Sequence, residues 1–225
     1  MTTSHFYRHI VLTLLILMLG FPLLANRPAL KNRVVILDAG HGTLNYDSHI
    51  VNGGKETRDK IPEHKLTLHM AEAFKKELVD QGAIVYLTRN TTDYWRQAYN
   101  SVDDNKARAV FANEMGADVF ISLHCDWHPN SRVKGVTTLY AKRDSKKLAN
   151  SLHSSLVRGI KAKDRKVKRD TFTILDHAEI PAVIIETGFM SHRKEHKKLK
   201  SPTYQKKIAQ SLTKGLLRYF QNYRH

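Results

Sequence analysis

The chain has 225 residues, 41% of them hydrophobic and 26% charged, which allows one well-buried domain and excludes a disordered polypeptide. Thirty-seven Lys and Arg against 21 Asp and Glu leave a formal charge of +16, a field that favours a polyanionic partner: nucleic acid, an anionic membrane or an acidic wall polymer. A single cysteine, Cys125, excludes an internal disulfide framework.

The N-terminus narrows those partners. MTTSHFYRHIVLTLLILMLGFPLLANRP sets Arg8 before an apolar run from Ile10 to Leu19, then Gly20, Pro22 and the small Ala25, the order of a secretory signal. Residues 1–25 are expected to be that signal and 26–32 a short linker, leaving one domain over 33–225. The apolar core is short for a membrane span of about 20 residues, although a run extended to Ala25 would also suit an uncleaved anchor. No cysteine follows it, so a lipid anchor is not expected. Export to the periplasm or the extracellular wall makes nucleic acid an unnatural target for the charge.

Past residue 33 the pattern alternates strands and helices. RVVILD (33–38) reads as a buried strand. Residues 43–62, rich in Gly, Asn and Asp, read as a long loop of the kind that often carries function. Pro62 and Glu63 open a helix to about Asp80, with Leu66, Met70, Phe74 and Leu78 on one stripe and Gly82 as its stop. AIVYLT (83–88) is a second strand, a helix near 103–115 ends at Gly116, and DVFISLH (118–124) is a third, buried strand. GVTTLYA (135–141) reads as an edge strand, followed by a helix over 144–160. TFTIL (171–175) and AVIIE (182–186) read as two further strands. A basic amphipathic helix over 203–221, with Ile208, Leu212, Leu216 and Phe220 on one face, closes the chain. This alternation predicts an α/β fold, a single three-layer domain with a largely parallel sheet flanked by helices. The Lys/Arg-dense runs KAKDRKVKR (161–169) and HRKEHKKLK (192–200) read either as solvated surface or as charge that retains the chain on anionic cell-wall polymers.

In open α/β sheets, sites form beyond the carboxyl ends of the strands. The first strand delivers His41 between Gly40 and Gly42, a setting in which the chain can turn sharply and expose the imidazole. The third strand delivers His124 in SLHCDWH and the last delivers Glu186 in VIIETGF. Glu63 starts the helix after the long loop and can face the same end. Two imidazoles and two carboxylates at one rim suggest zinc, which commonly takes three protein ligands such as His₂Glu and leaves the remaining carboxylate free as general base. His64 and His69, five apart, share no helix face, and no HExxH motif is present. They read as surface or supporting residues, and His128 as part of a loop. Glu63 would equally complement a helix N-terminus, with Asp59 and Glu56 as alternative ligands. Arg89 and Arg108 read as buried ion pairs, and Cys125, alternating away from His124, as a small buried thiol.

Taken together these motifs resemble the zinc-dependent N-acetylmuramoyl-L-alanine amidases of bacterial cell walls. ILDAGHG is similar to the family's opening His motif, and PEHKLTLHMAEAFKKEL to the segment whose first Glu binds metal. VYLTRNTTDYW and DNKARAVFANEMGADVFISLHCDWH resemble the run that carries an Arg, an Ala-Asn pair and the second His. PAVIIETGFMSHRKE resembles the final strand with its catalytic Glu. The resemblance spans about Arg33 to Phe220. It implies a single α/β domain with a mixed central sheet, peptidoglycan as substrate, Zn²⁺ held by His41, Glu63 and His124, and Glu186 as the base. The reaction it implies is hydrolysis of the amide between the muramic acid lactyl group and L-alanine.

Four features depart from the family pattern. Asp126 stands where Asn often follows the His, His192 where Asn often follows the Ser, and Lys166 where Gly is common; the usual Asp-x-Gly is missing around Asp47 and Ser48. Some relatives are held inactive by an inserted helix, and the interval from His124 to Glu186 is too compact for a long insert, so an open groove is expected; the chain is also expected to be a monomer. Two other readings are a zinc hydrolase of another peptidoglycan amide and an inactive wall-binding relative; the retained Glu186 argues against the second.

Overall fold

Val34–Ala39 (VVILDA) forms β1, and its pleat sends Val35, Leu37 and Ala39 to one face and Ile36 to the other, all fully buried. A strand apolar on both faces needs cover on both, and helices supply it. The computed structural model describes residues 29–43, 52–57, 59–90 and 101–223; the expected export signal, the first residues of the expected linker and the Asp47–Ser48 departure lie outside the described residues. Within them the order is β1, α1 (Glu63–Asp80), β2 (Ile84–Leu87), α2 (Ser101–Glu114), β3 (Val119–Asp126), β4 (Val136–Tyr140), α3 (Ser145–Ile160), β5 (Asp164–Arg169), α4 (Thr173–Asp176), β6 (Ala182–Phe189), α5 (Arg193–Leu199) and α6 (Pro202–Asn222).

The sheet runs β2-β1-β3-β6-β4-β5. β1 is parallel to β2 and β3, and β3 to β6, so four strands end at one edge. β4 runs antiparallel to β6 and parallel to β5, which makes the sheet mixed. Leu66, Met70, Phe74 and Leu78 of α1, Leu148, Leu152 and Leu156 of α3, and Leu212 and Leu216 of α6 share one core with Val35, Leu37, Ile121 and Ile185. On the other face Ala109 and Ala112 of α2 and Ile174 and Leu175 of α4 pack with Ile36, Phe120 and Ile184. Three layers result, with α6 laid across α1 and α3.

Two expectations are corrected. GVTTLYA is not an edge strand: β4 is buried along its whole length between β6 and β5. The edge is β5, DRKVKR, inside a run that reads in sequence as solvated charge; its row of cations is what keeps an open edge from pairing with other chains. Nor is TFTIL a strand. Its last three residues belong to a single helical turn, Thr173–Asp176, because the adjacent Ile174 and Leu175 are both buried in one core, which a pleated strand would send to opposite faces.

Two departures from the family pattern have structural roles. Lys166, where Gly is common, has φ +76° beside the register shift of the β4–β5 ladder, a conformation that favours Gly. His192 caps α5, its Nδ1 accepting from Glu195 N–H at 3.2 Å, as an Asn side chain would.

Candidate metal centre

The carboxyl ends of β1, β3 and β6 bring the predicted residues together. His41 follows β1, and in the β3–β6 ladder His124 and Glu186 are direct partners whose side chains share a face. Glu63 opens α1 behind Pro62, whose extended backbone (φ −72°, ψ 148°) turns the chain into the helix. His41 Nε2 lies 3.2 Å from Glu63 Oε2, His124 Nδ1 lies 3.3 Å from Glu63 Oε1, and the two ring nitrogens are 3.1 Å apart. The sequence signal at His41 is only partly about turning: His41 itself has φ +66° and Gly42 φ +83°. Gly40 serves another purpose. A Cβ there would lie 2.4 Å from Cε1 and Nε2 of His124 and 2.7 Å from the Leu123 carbonyl, so only glycine lets the second imidazole lie against the turn.

Each donor is held by a partner. Asn52 Nδ2 donates to Asp104 Oδ2 (3.0 Å), which turns Asn52 Oδ1 toward His41 Nδ1 at 2.6 Å. Nδ1 must then carry a proton, which leaves Nε2 as the nitrogen that faces Glu63 and His124. Asp104 also accepts from Thr43 Oγ1 (2.6 Å) and Arg108 Nε (2.8 Å), and Arg108 continues to Asp38 (2.7 Å) under the strand. Glu63 accepts from Cys125 N–H at 2.9 Å and Lys55 N–H at 3.3 Å. Burial pushes the Glu63 carboxyl up, but the two imidazoles outweigh it and hold it well below the usual carboxylate range. Burial works against a charge on His41 as well, yet Glu63 raises its pKa overall. Burial of Asp38 is likewise outweighed, by Arg108 and by Ser122 and Thr88, leaving its pKa at about 2.

Glu186 differs. It stands beside His124 at the strand ends, and its Oε2 is buried with no hydrogen-bond partner among the described residues. Burial, reinforced by Glu63 and Asp126, pushes its carboxyl well above the usual range. An orphaned carboxylate oxygen destabilises the fold, which makes Glu186 a candidate for chemistry. A cavity of about 430 Å³ opens over His41, Glu63, His124 and Glu186, walled by Lys55, Trp127 and Phe172. Trp127 and Phe172 are exposed, and Lys55 Nζ sits 5.4 Å from the Trp127 ring centre.

The other candidates lie elsewhere. Asp59 pairs with Lys200 and with His196 Nε2, and Glu56 is exposed. His69 and His128 are exposed, and His64 Nδ1 lies 3.2 Å from the Gly53 carbonyl. Arg108 is the expected buried ion pair, with Asp38 and Asp104. Arg89 is buried and donates to the carbonyls of Ala39 (2.8 Å) and His64 (2.6 Å), stapling the His41 turn to α1. Cys125 is a buried thiol on the opposite face from His124, its pKa raised by burial. Asn52 is the residue that sequence reasoning misses: it lies within the long loop, eleven positions from the ring it orients and outside any periodic pattern.

Three converging lone pairs and a free carboxylate at the strand ends are the arrangement of a metal-assisted hydrolase. Residues 35–218 match the family model described as N-acetylmuramoyl-L-alanine amidase, and the chain belongs to that family. It is 30% identical over 203 residues to the germination-specific N-acetylmuramoyl-L-alanine amidase of Bacillus subtilis (strain 168), covering 85% of this chain and 81% of that protein. It is 28% identical to the probable cell wall amidase LytH of Staphylococcus epidermidis over 86% of this chain, but spans only 60% of that relative's length. Among solved structures, the CwlD amidase from Clostridioides difficile, in complex with the GerS lipoprotein, superposes with a TM-score of 0.74 at 30% identity, covering 85% of this chain and 100% of that one. No helix among the described residues is long and apolar enough to cross a membrane.

Proposed function

We propose that this chain is a zinc-dependent N-acetylmuramoyl-L-alanine amidase, exported through residues 1–25 and acting as a monomer on peptidoglycan in the periplasm or the wall. The observation that carries the reading is the meeting of His41, Glu63 and His124, whose ligand atoms lie within 4.8 Å of one another, beside an unpartnered carboxylate oxygen. A tetrahedral ion with ligand bonds of about 2.0–2.1 Å separates its donors by about 3.3 Å, close to the 3.1 Å between the two ring nitrogens, while Glu63 turns Oε2 to His41 and Oε1 to His124. His41 Nε2, His124 Nδ1 and Glu63 would hold the ion, with Asn52 fixing the His41 tautomer. Zinc bound there supplies Lewis acidity toward water and toward the amide carbonyl. Glu186 takes the proton of the attacking water and returns it to the departing L-alanine amine. Its raised proton affinity suits it to both tasks. The cavity walls of Lys55, Trp127 and Phe172 would position the substrate beside the base.

The test incubates residues 26–225 with purified sacculi and quantifies newly exposed N-terminal L-alanine, first with a chelator and then with zinc restored. Release that stops with chelation and returns with zinc supports the reading. Zinc-dependent release of another amine points instead to a different peptidoglycan bond.

A further inference from the structure

On the sheet face opposite His124 and Glu186, α3 and α6 together carry seven Lys and Arg and no Asp or Glu. The helices cross closely: a Cβ on Gly159 would lie 2.0 Å from Ser211 Oγ. Beside the crossing is a groove of about 320 Å³ lined by Arg158, Lys207, Lys214 and Arg218, with Ser155 and Gln210. The ion pairs of the described residues lie elsewhere, on Asp38, Asp59, Glu63, Asp104, Asp118 and Asp164, so none of these four cations is neutralised by a described carboxylate. At one end Glu77 accepts from Gln210 Nε2 at 3.4 Å.

Ser155 lines the groove but is only 6% exposed and its Oγ is shut off from solvent, so the reachable charged donors are the four cations. The cations on α6 follow one stripe, Lys207 to Lys214 to Arg218, about 16 Å of helix. A row of that length matches the repeating charges of a linear polymer better than one small anion. None of the exposed large apolar side chains, Val79, Ile84, Tyr86, Trp127 and Phe172, lines the groove, so it lacks the apolar face that inserts into a lipid surface.

We propose that the α3–α6 groove binds a phosphodiester polymer of the bacterial wall and holds the protein on its substrate while the metal centre stays free on the other face. This rests on the reading of the chain as a wall amidase. The two sites share no lining residue.

The test measures sedimentation of residues 26–225 with walls bearing a polyol-phosphate polymer, with the same walls after its chemical removal, and with phosphatidylglycerol vesicles. Two variants of equal net charge are compared: Lys207→Gln/Lys214→Gln/Arg218→Gln in the groove, and Arg193→Gln/Lys194→Gln/Lys197→Gln on α5. The parent binds polymer-bearing walls most tightly, more weakly as salt rises. The groove variant binds them roughly a hundredfold more weakly, while the α5 variant keeps most of the affinity. Equal loss in both variants means diffuse charge and overturns the groove; so does equal binding to stripped walls, or tighter binding to vesicles than to walls. Amine release from stripped walls is followed in parallel. If neither the parent nor the variants release amine there, the amidase reading has failed, whatever the binding shows.

Discussion

Asn52→Ala tests how the metal centre is oriented. Asn52 touches no metal in this account; its Oδ1, 2.6 Å from His41 Nδ1, keeps that nitrogen protonated and Nε2 free. Truncation leaves the imidazole free to rotate and to exchange tautomers. Loss of such an orienting hydrogen bond typically lowers metal affinity about 10- to 100-fold, or roughly 1.4–2.7 kcal/mol. The fold should tolerate the change, since Asp104 keeps Thr43 and Arg108 as donors at 2.6 and 2.8 Å. The stability loss should therefore be about 1 kcal/mol, one net hydrogen bond. Competition with a chromogenic chelator gives the zinc affinity, and a denaturant titration of the zinc-free protein gives the stability. Amine release from sacculi should fall at limiting zinc and recover at saturating zinc, because Glu186 is untouched. Unchanged zinc affinity refutes the reasoning. So does activity that saturating zinc cannot restore in a folded variant.

Further outcomes follow from the same geometry. Gly40→Ala drives a methyl to 2.4 Å from the His124 ring, and should lower zinc affinity and destabilise the protein by about 1–3 kcal/mol in urea unfolding. Arg108→Met leaves Asp38 and Asp104 buried without their cation, and should destabilise by about 3–5 kcal/mol by the same measurement. Asp38, with its folded pKa lowered from 3.8 to about 2, contributes roughly 2 kcal/mol that is present above pH 4 and fades as pH falls toward 2; unfolding at pH 7 and pH 3 should show the loss, and Asp38→Asn should remove this dependence. Glu186 has the opposite sign, because its folded carboxyl is raised: as pH rises past the ordinary carboxylate range the unfolded chain loses this proton first, and the zinc-free fold loses stability. Glu186→Gln should therefore stabilise the zinc-free chain at pH 7, with the gain vanishing below about pH 4, where both states are protonated.

The residues of the candidate site were legible in sequence because each is a short motif at the end of a strongly patterned segment. His41, His124 and Glu186 close three apolar strands, and Glu63 opens a helix with a clear stripe. Less legible was what depends on tertiary neighbours. DRKVKR has too many cations to read as a strand, yet an edge strand needs only one paired side, and here the other side is solvent. VTTLY alternates little and could sit at either position; only its pairing with both β5 and β6 makes it interior. TFTIL has the β-branched and aromatic content of a strand, but packing of Ile174 and Leu175 into one core overrides that propensity. Asn52 has no local pattern at all, and its part is visible only once Asp104 of α2 is seen to fix its amide.

Architecture and chemistry meet at one feature of the ladder. Because His124 and Glu186 are direct partners in β3 and β6, the proposed ligand and the proposed base are held by paired interior strands of the sheet rather than by loops. Among the described residues the loop supplies the orienting amide of Asn52 and the Lys55 N–H to Glu63, with Asp104, Arg108 and Asp38 anchoring Asn52 from beneath.

The most direct test of the central assignment is zinc content and single-turnover amine release measured together on zinc-loaded Glu186→Gln. The account predicts parent-level zinc, because His41, Glu63 and His124 hold the ion, with N-terminal L-alanine release from sacculi reduced at least about a hundredfold through loss of the base. Loss of zinc from this variant, or release at the parent rate, would contradict it.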